Sequence, residues 1–311
     1  MFRVAVLFIT LLGLLAPTAH AERKSDNRVA STVARSDIPQ RGTLYRIERA
    51  GHTAWLFGTV HIGQSAFYPL EPKVMRAFRQ ADALVIEADI RDQANLQKAV
   101  TRYAVYPEHD SIDHHLTPTQ WQALQDALAK AGLPAAQIQR LKPWMVANLL
   151  MLQAMTQAGY PSEQGIEQYF LDLAHKENKQ VRALETVGYQ LSLFDRLTPA
   201  QQADYLQETL EDLQANQGIE KGIQLIEAWK TADHAKMVAL KQAMLAENTT
   251  TSSFIDNVLL KERNPGMANG IIALLEKRER IFVAIGALHL LGDDGVPALL
   301  RTRGYRVTRI Y

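Results

Sequence analysis

Cysteine is absent from all 311 residues, which excludes disulfides, thiolate nucleophiles and thiolate metal ligands together. Site chemistry is left to His, Asp, Glu, Ser, Tyr, Lys or Arg. A surplus of charge is absent as well. With 34 Lys and Arg against 33 Asp and Glu, the chain has no bulk attraction to nucleic acid or to an anionic membrane surface. No Gly-x-Ser-x-Gly elbow marks a serine hydrolase, and neither a low-complexity segment nor a solenoid repeat is present. Long apolar runs are missing too: the longest near the start, Val4 to Leu15, is about a dozen residues, short of the ~20 that a spanning helix needs.

That short run is informative for another reason. Arg3 precedes it, and the small-x-small triplet Ala19-His20-Ala21 follows it, which is the layout of a secretory signal peptide cleaved after Ala21. No cysteine follows the small residues to accept a lipid anchor, so residues 1–21 predict an exported, periplasmic or secreted protein with no stable membrane anchor. Removal of Arg3 leaves a formally neutral chain. Residues 22–40 are polar and aperiodic and read as a flexible leader, and the remaining 41–311 are long enough for one large domain.

From Arg41 the pattern becomes ordered. Thr43 to Ile47 and Ala54 to Phe57 alternate around a turn at Arg49 to His52, which predicts a hairpin. Ala83 to Ala88, Val181 to Leu184, Ile281 to Ile285 and Tyr305 to Ile310 read as further strands. Helical periodicity fills Glu71 to Gln80, Thr119 to Ala131, Pro143 to Ala158, Ile166 to Lys176 and most of Pro199 to Glu247. Pro118, Pro143 and Pro199 fall at helix starts, where the missing N–H costs little. The fold class is α/β (α+β mixed): a central β-sheet with flanking helices and a large helical insertion at about 117–275.

Two segments echo one another. Ala54-Trp55-Leu56-Phe57-Gly58-Thr59-Val60-His61 and Val283-Ala284-Ile285-Gly286-Ala287-Leu288-His289 share a strand, a glycine and a histidine three residues on. Glycine lets the backbone turn sharply at the strand end, and the imidazole then projects at the carboxyl edge, where open α/β sheets place their ligands. Glu87 and Glu185 end two other strand candidates in the same way. Two histidines and two glutamates at four strand ends form a mixed nitrogen and oxygen set suited to Zn²⁺, Mn²⁺ or Co²⁺, with one Glu free to act as a base.

With these motifs the chain resembles the TraB/GumN proteins, which are similar to the Tiki metalloproteases and more distantly to the erythromycin-esterase and ChaN-like group. The resemblance runs from about Thr43 to the C-terminus. It rests on Leu56 to His61, Ala81 to Glu87, Gly165 to Phe170, Leu184 to Thr186, Arg263-Asn264 with Met267, and Gly286 to His289. It implies that the paired Gly-x-x-His motifs and a Glu form the metal or catalytic groups. It also adds Arg263, to hold a substrate carboxylate or an oxyanion, and Asn264. At the middle motif Glu167 preserves the family's acidic residue.

Read without the resemblance, Lys261 to Gly266 is a polar turn between helices and Glu167 is a solvated helix face. His109, His114 and His115 lie in a loop that reads as solvated, His175 and His234 read as surface residues, and Trp144 to Leu152 reads as helix core. The implied activity is metal-dependent hydrolysis of a peptide or ester, with metal ligands His61, His289, Glu87 and Glu185 and catalytic groups Glu87, Glu185, Arg263 and Asn264. The alternative is a non-catalytic periplasmic protein that sequesters a peptide, a signalling molecule or haem in the same cleft. A third reading assigns the helical part to secretion or envelope assembly.

Overall fold

The structure, a computed structural model, describes residues 40–277 and 279–311; the expected signal peptide, 1–21, and the leader up to residue 39 lie outside the described residues. The expected hairpin is present as β1 (Leu44–Arg49) and β2 (His52–Thr59), joined through Ala50 and Gly51. The remaining strands are β3 (Ala83–Ile86), β4 (Gln180–Ala183), β5 (Ile281–Gly286) and β6 (Arg306–Arg309). They form one sheet in the order β4-β3-β5-β2-β1-β6. β2, β5, β3 and β4 run parallel, whereas β1 is antiparallel to both of its neighbours.

Parallel strands with helices on both faces need apolar side chains on both faces, and the sequence supplies them. Leu84, Ile86, Phe57, Phe282 and Ala284 join the larger core, while Ala83, Val85, Leu56, Val283 and Ile285 join the smaller one. On the first face lie the helices Pro72–Gln80, Pro143–Gln157 and Ile166–Lys176 with much of the remaining helical part; on the second lie Arg263–Glu276 and Val296–Thr302. The architecture is three layers. Because the four parallel strands share a direction, their carboxyl ends, and the residues that follow, lie on one edge.

Helix starts follow local chemistry. Thr117 and Thr198 each make a reciprocal capping box, with Gln120 and Gln201, ahead of Pro118 and Pro199. β4 is a strand of the sheet within the span expected to be a helical insertion, so the helices fall in two runs on either side of it. One expectation is corrected. Lys261 to Gly266 is not a turn: π-helical turns over Ile255–Glu262 pass directly into the helix Arg263–Glu276. Pro265, which lacks an N–H, falls just after this change from π- to α-helical hydrogen bonding. No helix among the described residues is long and apolar enough to cross a membrane.

Trp229 ties the helical part to the strand that leads to the first histidine. Its ring packs beside Phe57 and Phe67, at centroid distances of 6.4 and 5.5 Å, and its Nε1–H donates to the Gly58 carbonyl at 2.7 Å. Trp229→Phe keeps most of the apolar volume and removes that donor. It is expected to destabilise the protein by about 1–3 kcal/mol, the cost of an unsatisfied buried acceptor. Urea denaturation with an unchanged m-value checks this, and an unaltered midpoint would refute it.

Candidate functional site

His61 is set by a backbone clamp between two segments far apart in sequence. The Ile166 N–H donates to the Val60 carbonyl at 3.0 Å and the Gly63 N–H to the Pro161 carbonyl at 3.2 Å. At Gly165 a Cβ would lie 2.4 Å from the His61 carbonyl oxygen, so only glycine lets the two segments approach this closely. The clamp brings Glu167, in the first turn of Ile166–Lys176, against His61: its Oε2 meets the imidazole Nδ1, and its Oε1 accepts from the Thr59 hydroxyl at 3.1 Å.

The second histidine is held in the same manner from the opposite layer. His289 lies in the 3₁₀ turn Ala287–Leu290 after β5. Its Nδ1 lies 2.6 Å from Asn264 Oδ1, and the Asn264 amide donates onward to the Asp294 carbonyl at 2.8 Å. Since that amide nitrogen is spent, Asn264 Oδ1 must accept, which places the imidazole proton on Nδ1 and leaves the Nε2 lone pair free. His289 Nε2 stands 3.7 Å from Glu87 Oε1.

Glu87 is where these groups meet. It directly follows β3, and its Oε1 accepts from the Gly286 N–H at 2.7 Å. A Cβ on Gly286 would come within 3.1 Å of Glu87 Oε1, 3.4 Å of His61 Nε2 and 3.6 Å of His289 Cδ2. The glycine of the second Gly-x-x-His thus leaves open the point on which three side chains converge. Ligand atoms of His61, Glu87 and Glu167 all lie within 4.8 Å of one another.

Glu185 stands outside that point. Both its oxygens accept from Arg263 Nε at 3.1 Å, and Oε2 also accepts from Arg263 Nη2 at 2.8 Å and from Gln190 at 3.0 Å. Arg263 completes its bonding with Glu87 Oε2 at 2.6 Å and the Leu259 carbonyl at 3.4 Å. Every guanidinium nitrogen therefore serves the protein. Arg263, expected to hold a substrate carboxylate or an oxyanion, is buried between Glu87 and Glu185 and pairs with both. Side-chain exposure is 14% at His61, 11% at Glu167, 8% at Glu185 and 0% at Arg263, so the guanidinium is the most deeply buried of these groups.

A family model for the TraB/PrgY/gumN family matches residues 43–309. The chain belongs to the TraB/PrgY/gumN family. Among its relatives, the uncharacterized protein YbaP of Escherichia coli (strain K12) is 26% identical over 273 residues, covering 83% of this chain and 97% of YbaP. Metalloprotease TIKI2 of Xenopus tropicalis is 26% identical over 301 residues, covering 82% of this chain and 57% of that protein. A metalloprotease TIKI homolog of Amphimedon queenslandica is 24% identical over 353 residues, covering 99% of this chain and 67% of the relative. No solved structure matches.

In this TraB-family chain the electrostatics divide the carboxylates by role. Burial alone would raise the pKa of Glu87; positive charge at His289, Arg263 and His61, with the Gly286 N–H, outweighs it and holds the carboxyl well below the usual range. Burial pushes the His289 imidazole down to about 3 against the pull of Glu87. His289 is therefore neutral near pH 7, and Arg263, whose own pKa Glu87 and Glu185 raise despite its burial, is the standing counter-ion there. Glu167 differs: burial raises its pKa, and His61 only partly opposes this. At His61 burial disfavours the charge, yet the facing Glu167 carboxylate prevails and raises the imidazole.

Glu167 is thus not a solvated helix face. It is 9% exposed, and the one sequence signal for it was its place in the middle motif. Gln190, also buried and bonded to both Glu87 and Glu185, carried no signal, because a Gln inside the amphipathic run of Val187–Asp195 looks like any solvated position. His175 is exposed as expected, whereas His234 is half-buried, its Nδ1 shielded from solvent. The His109 to His115 loop closes on itself: Asp110 meets His114 and His115 at 3.3 and 2.8 Å. A groove of about 740 Å³, lined by Ala123, Ala127, Leu150 and Leu210, lies among the helices and includes none of the strand-end groups.

Arg263→Met leaves two buried carboxylates without their cation and is expected to cost about 3–5 kcal/mol near pH 7. The loss should shrink by about pH 5. In the native protein Glu87 titrates below its ordinary value of 4.5, so its stabilisation is fully present above that value and is lost only as pH falls through the depressed one. In the variant burial dominates, the folded pKa lies above the unfolded one, and stability is instead lost as pH rises. Equal deficits at the two pH values in urea denaturation would refute this assignment.

Proposed function

We propose that the protein is an exported metal-dependent hydrolase, peptidase- or esterase-like. The observation that carries this reading is the meeting of the two Gly-x-x-His imidazoles at one buried carboxylate, Glu87, whose pKa is held low. The donor set fits a divalent cation of the Mn, Zn or Co kind: two imidazoles, each with its outer nitrogen held by a side-chain oxygen, and a carboxylate, beside an excess of three glutamates over one guanidinium. His61, Glu87 and His289 would hold the cation. When bound, it would supply Lewis acidity toward a carbonyl.

The remaining residues have roles that follow from their bonding. Glu185, proposed from sequence as ligand or base, has both oxygens committed to Arg263 and serves to hold that guanidinium. Glu87, kept charged, is a poor proton acceptor. Glu167 is the carboxyl with a raised pKa, stands on the more exposed side of the site, and is the group suited to take up and return a proton. Asn264 fixes the tautomer of His289. The names of the Tiki relatives, metalloproteases at about a quarter identity, agree with hydrolysis of a peptide bond.

Elemental analysis and titration with Mn²⁺, Zn²⁺ and Co²⁺ test the site. One cation per chain is expected, lost in His61→Ala, Glu87→Gln and His289→Ala and retained in Glu185→Gln. Asn264→Ala should weaken binding roughly 10–100-fold, as removal of a histidine's hydrogen-bond partner does, and Glu167→Gln should keep the cation and lose turnover. Failure of the native chain to bind any of the three would end the metallohydrolase reading. A bound cation without hydrolysis of peptide or ester libraries would make it a sequestering protein.

Export rests on the N-terminal pattern, Arg3, the apolar run and Ala19-His20-Ala21. N-terminal sequencing of the protein from the periplasmic or culture fraction should begin at Glu22. Full-length chain retained in the cytoplasm would contradict it.

A further inference from the structure

Lys241 is a buried cation on the helix His234–Leu245, 6% exposed and remote in sequence from every residue of the site. Its ammonium donates to the Leu291 carbonyl at 2.8 Å and to the Leu288 carbonyl at 3.5 Å, and it meets Asp294 Oδ1 at 3.5 Å. Leu288 and Leu291 bracket His289, so the lysine gathers the carbonyls at the end of the 3₁₀ turn that carries it, where a positive charge is favoured. Asn264 grips the same segment from the other side, through the His289 ring and the Asp294 carbonyl.

From this arrangement we infer that Lys241 is a positioning residue that fixes the 287–294 turn and thereby aims the His289 imidazole at Glu87. An ammonium is taken out of water at considerable cost, and burial lowers its pKa while Asp294 partly restores it. An apolar residue would pack in the same place without that cost, but it would leave the Leu288 and Leu291 carbonyls without this donor. A turn held at two points by side chains keeps its histidine in one rotamer and one tautomer. A turn without the lysine loses the restraint on the Leu288 and Leu291 carbonyls.

The positioning of His289 is independent of any metal, and only its consequence for cation affinity rests on the proposed function; the test separates the two. Long-range ¹H–¹⁵N spectra of the metal-free full chain, with His289→Ala for assignment, should show His289 as a single species with Nδ1 protonated. In Lys241→Met the expected result is a mixture of tautomers and solvent exchange of the Nδ1 proton at least about tenfold faster. Mn²⁺ affinity should fall roughly 10–100-fold. Lys241→Gln, which retains an N–H donor, should recover part of both effects.

A folded Lys241→Met protein with the native His289 spectrum overturns the inference. Should that variant fail to fold, Asp294→Asn, at a side chain 38% exposed, carries the test: a partial rise in exchange is expected, and an unchanged spectrum overturns the inference. The tautomer shift without any Mn²⁺ uptake by the native chain would remove the metal reading and leave the lysine's role standing. Uptake without the shift would do the reverse.

Discussion

A guanidinium with no exposed side-chain surface, placed between two carboxylates at the carboxyl ends of the parallel strands, is the interaction on which the other features depend. Burying three charges is expensive, and it is repaid only where geometry satisfies the hydrogen-bonding groups. Arg263 meets that condition with bonds to Glu87, Glu185 and the Leu259 carbonyl. Those bonds join the end of β3, the end of β4 and the first turn of a helix on the second face of the sheet. Shifting any one of the three elements would strand a charge in the interior. The network therefore fixes the sheet edge as much as it fixes the carboxylate at its centre.

Around that centre the two imidazoles are arranged alike. Each follows a strand by way of a glycine and presents Nδ1 to an oxygen from a helix start: Glu167 from the first layer for His61, Asn264 from the second for His289. The third layer is thus a requirement of the site, since one layer supplies the partner of one histidine only. The second-layer side, with Arg263 and Asn264, is deeply buried and holds the Glu87 carboxylate and the His289 imidazole. On the first-layer side Glu167 is buried as well, and His61 is only partly exposed.

Much of this was legible along the chain, for reasons that can be named. Apolar runs such as Ile281 to Ile285 declare a strand covered on both faces, and glycine followed by histidine declares a turn with a polar group at its end. That logic puts His61, Glu87 and His289 at strand ends, and the fold brings them together. Glu167 and the Arg263-Asn264 pair were not, except by resemblance, because a charged residue in a first helical turn and a charged stretch with Pro and Gly ordinarily face water. They are buried against partners distant in sequence: Thr59 and His61 for Glu167, Glu87 and Glu185 for Arg263, His289 for Asn264.

The sequence by itself determined the elements, the neutral charge balance, the exclusion of thiol chemistry and the strand-end position of three site residues, since these follow from composition and local periodicity. Only the tertiary structure decided roles among chemically equal groups. Glu87, Glu167 and Glu185 are the same side chain, yet one is held charged by Arg263, one is raised by burial beside His61, and one is spent on holding the arginine. The same holds for Lys241, which in sequence is one of 34 basic residues and in the fold closes on the turn of His289. A side chain's charge state and bonding depend on which distant groups surround it, and that environment exists only when the chain is folded.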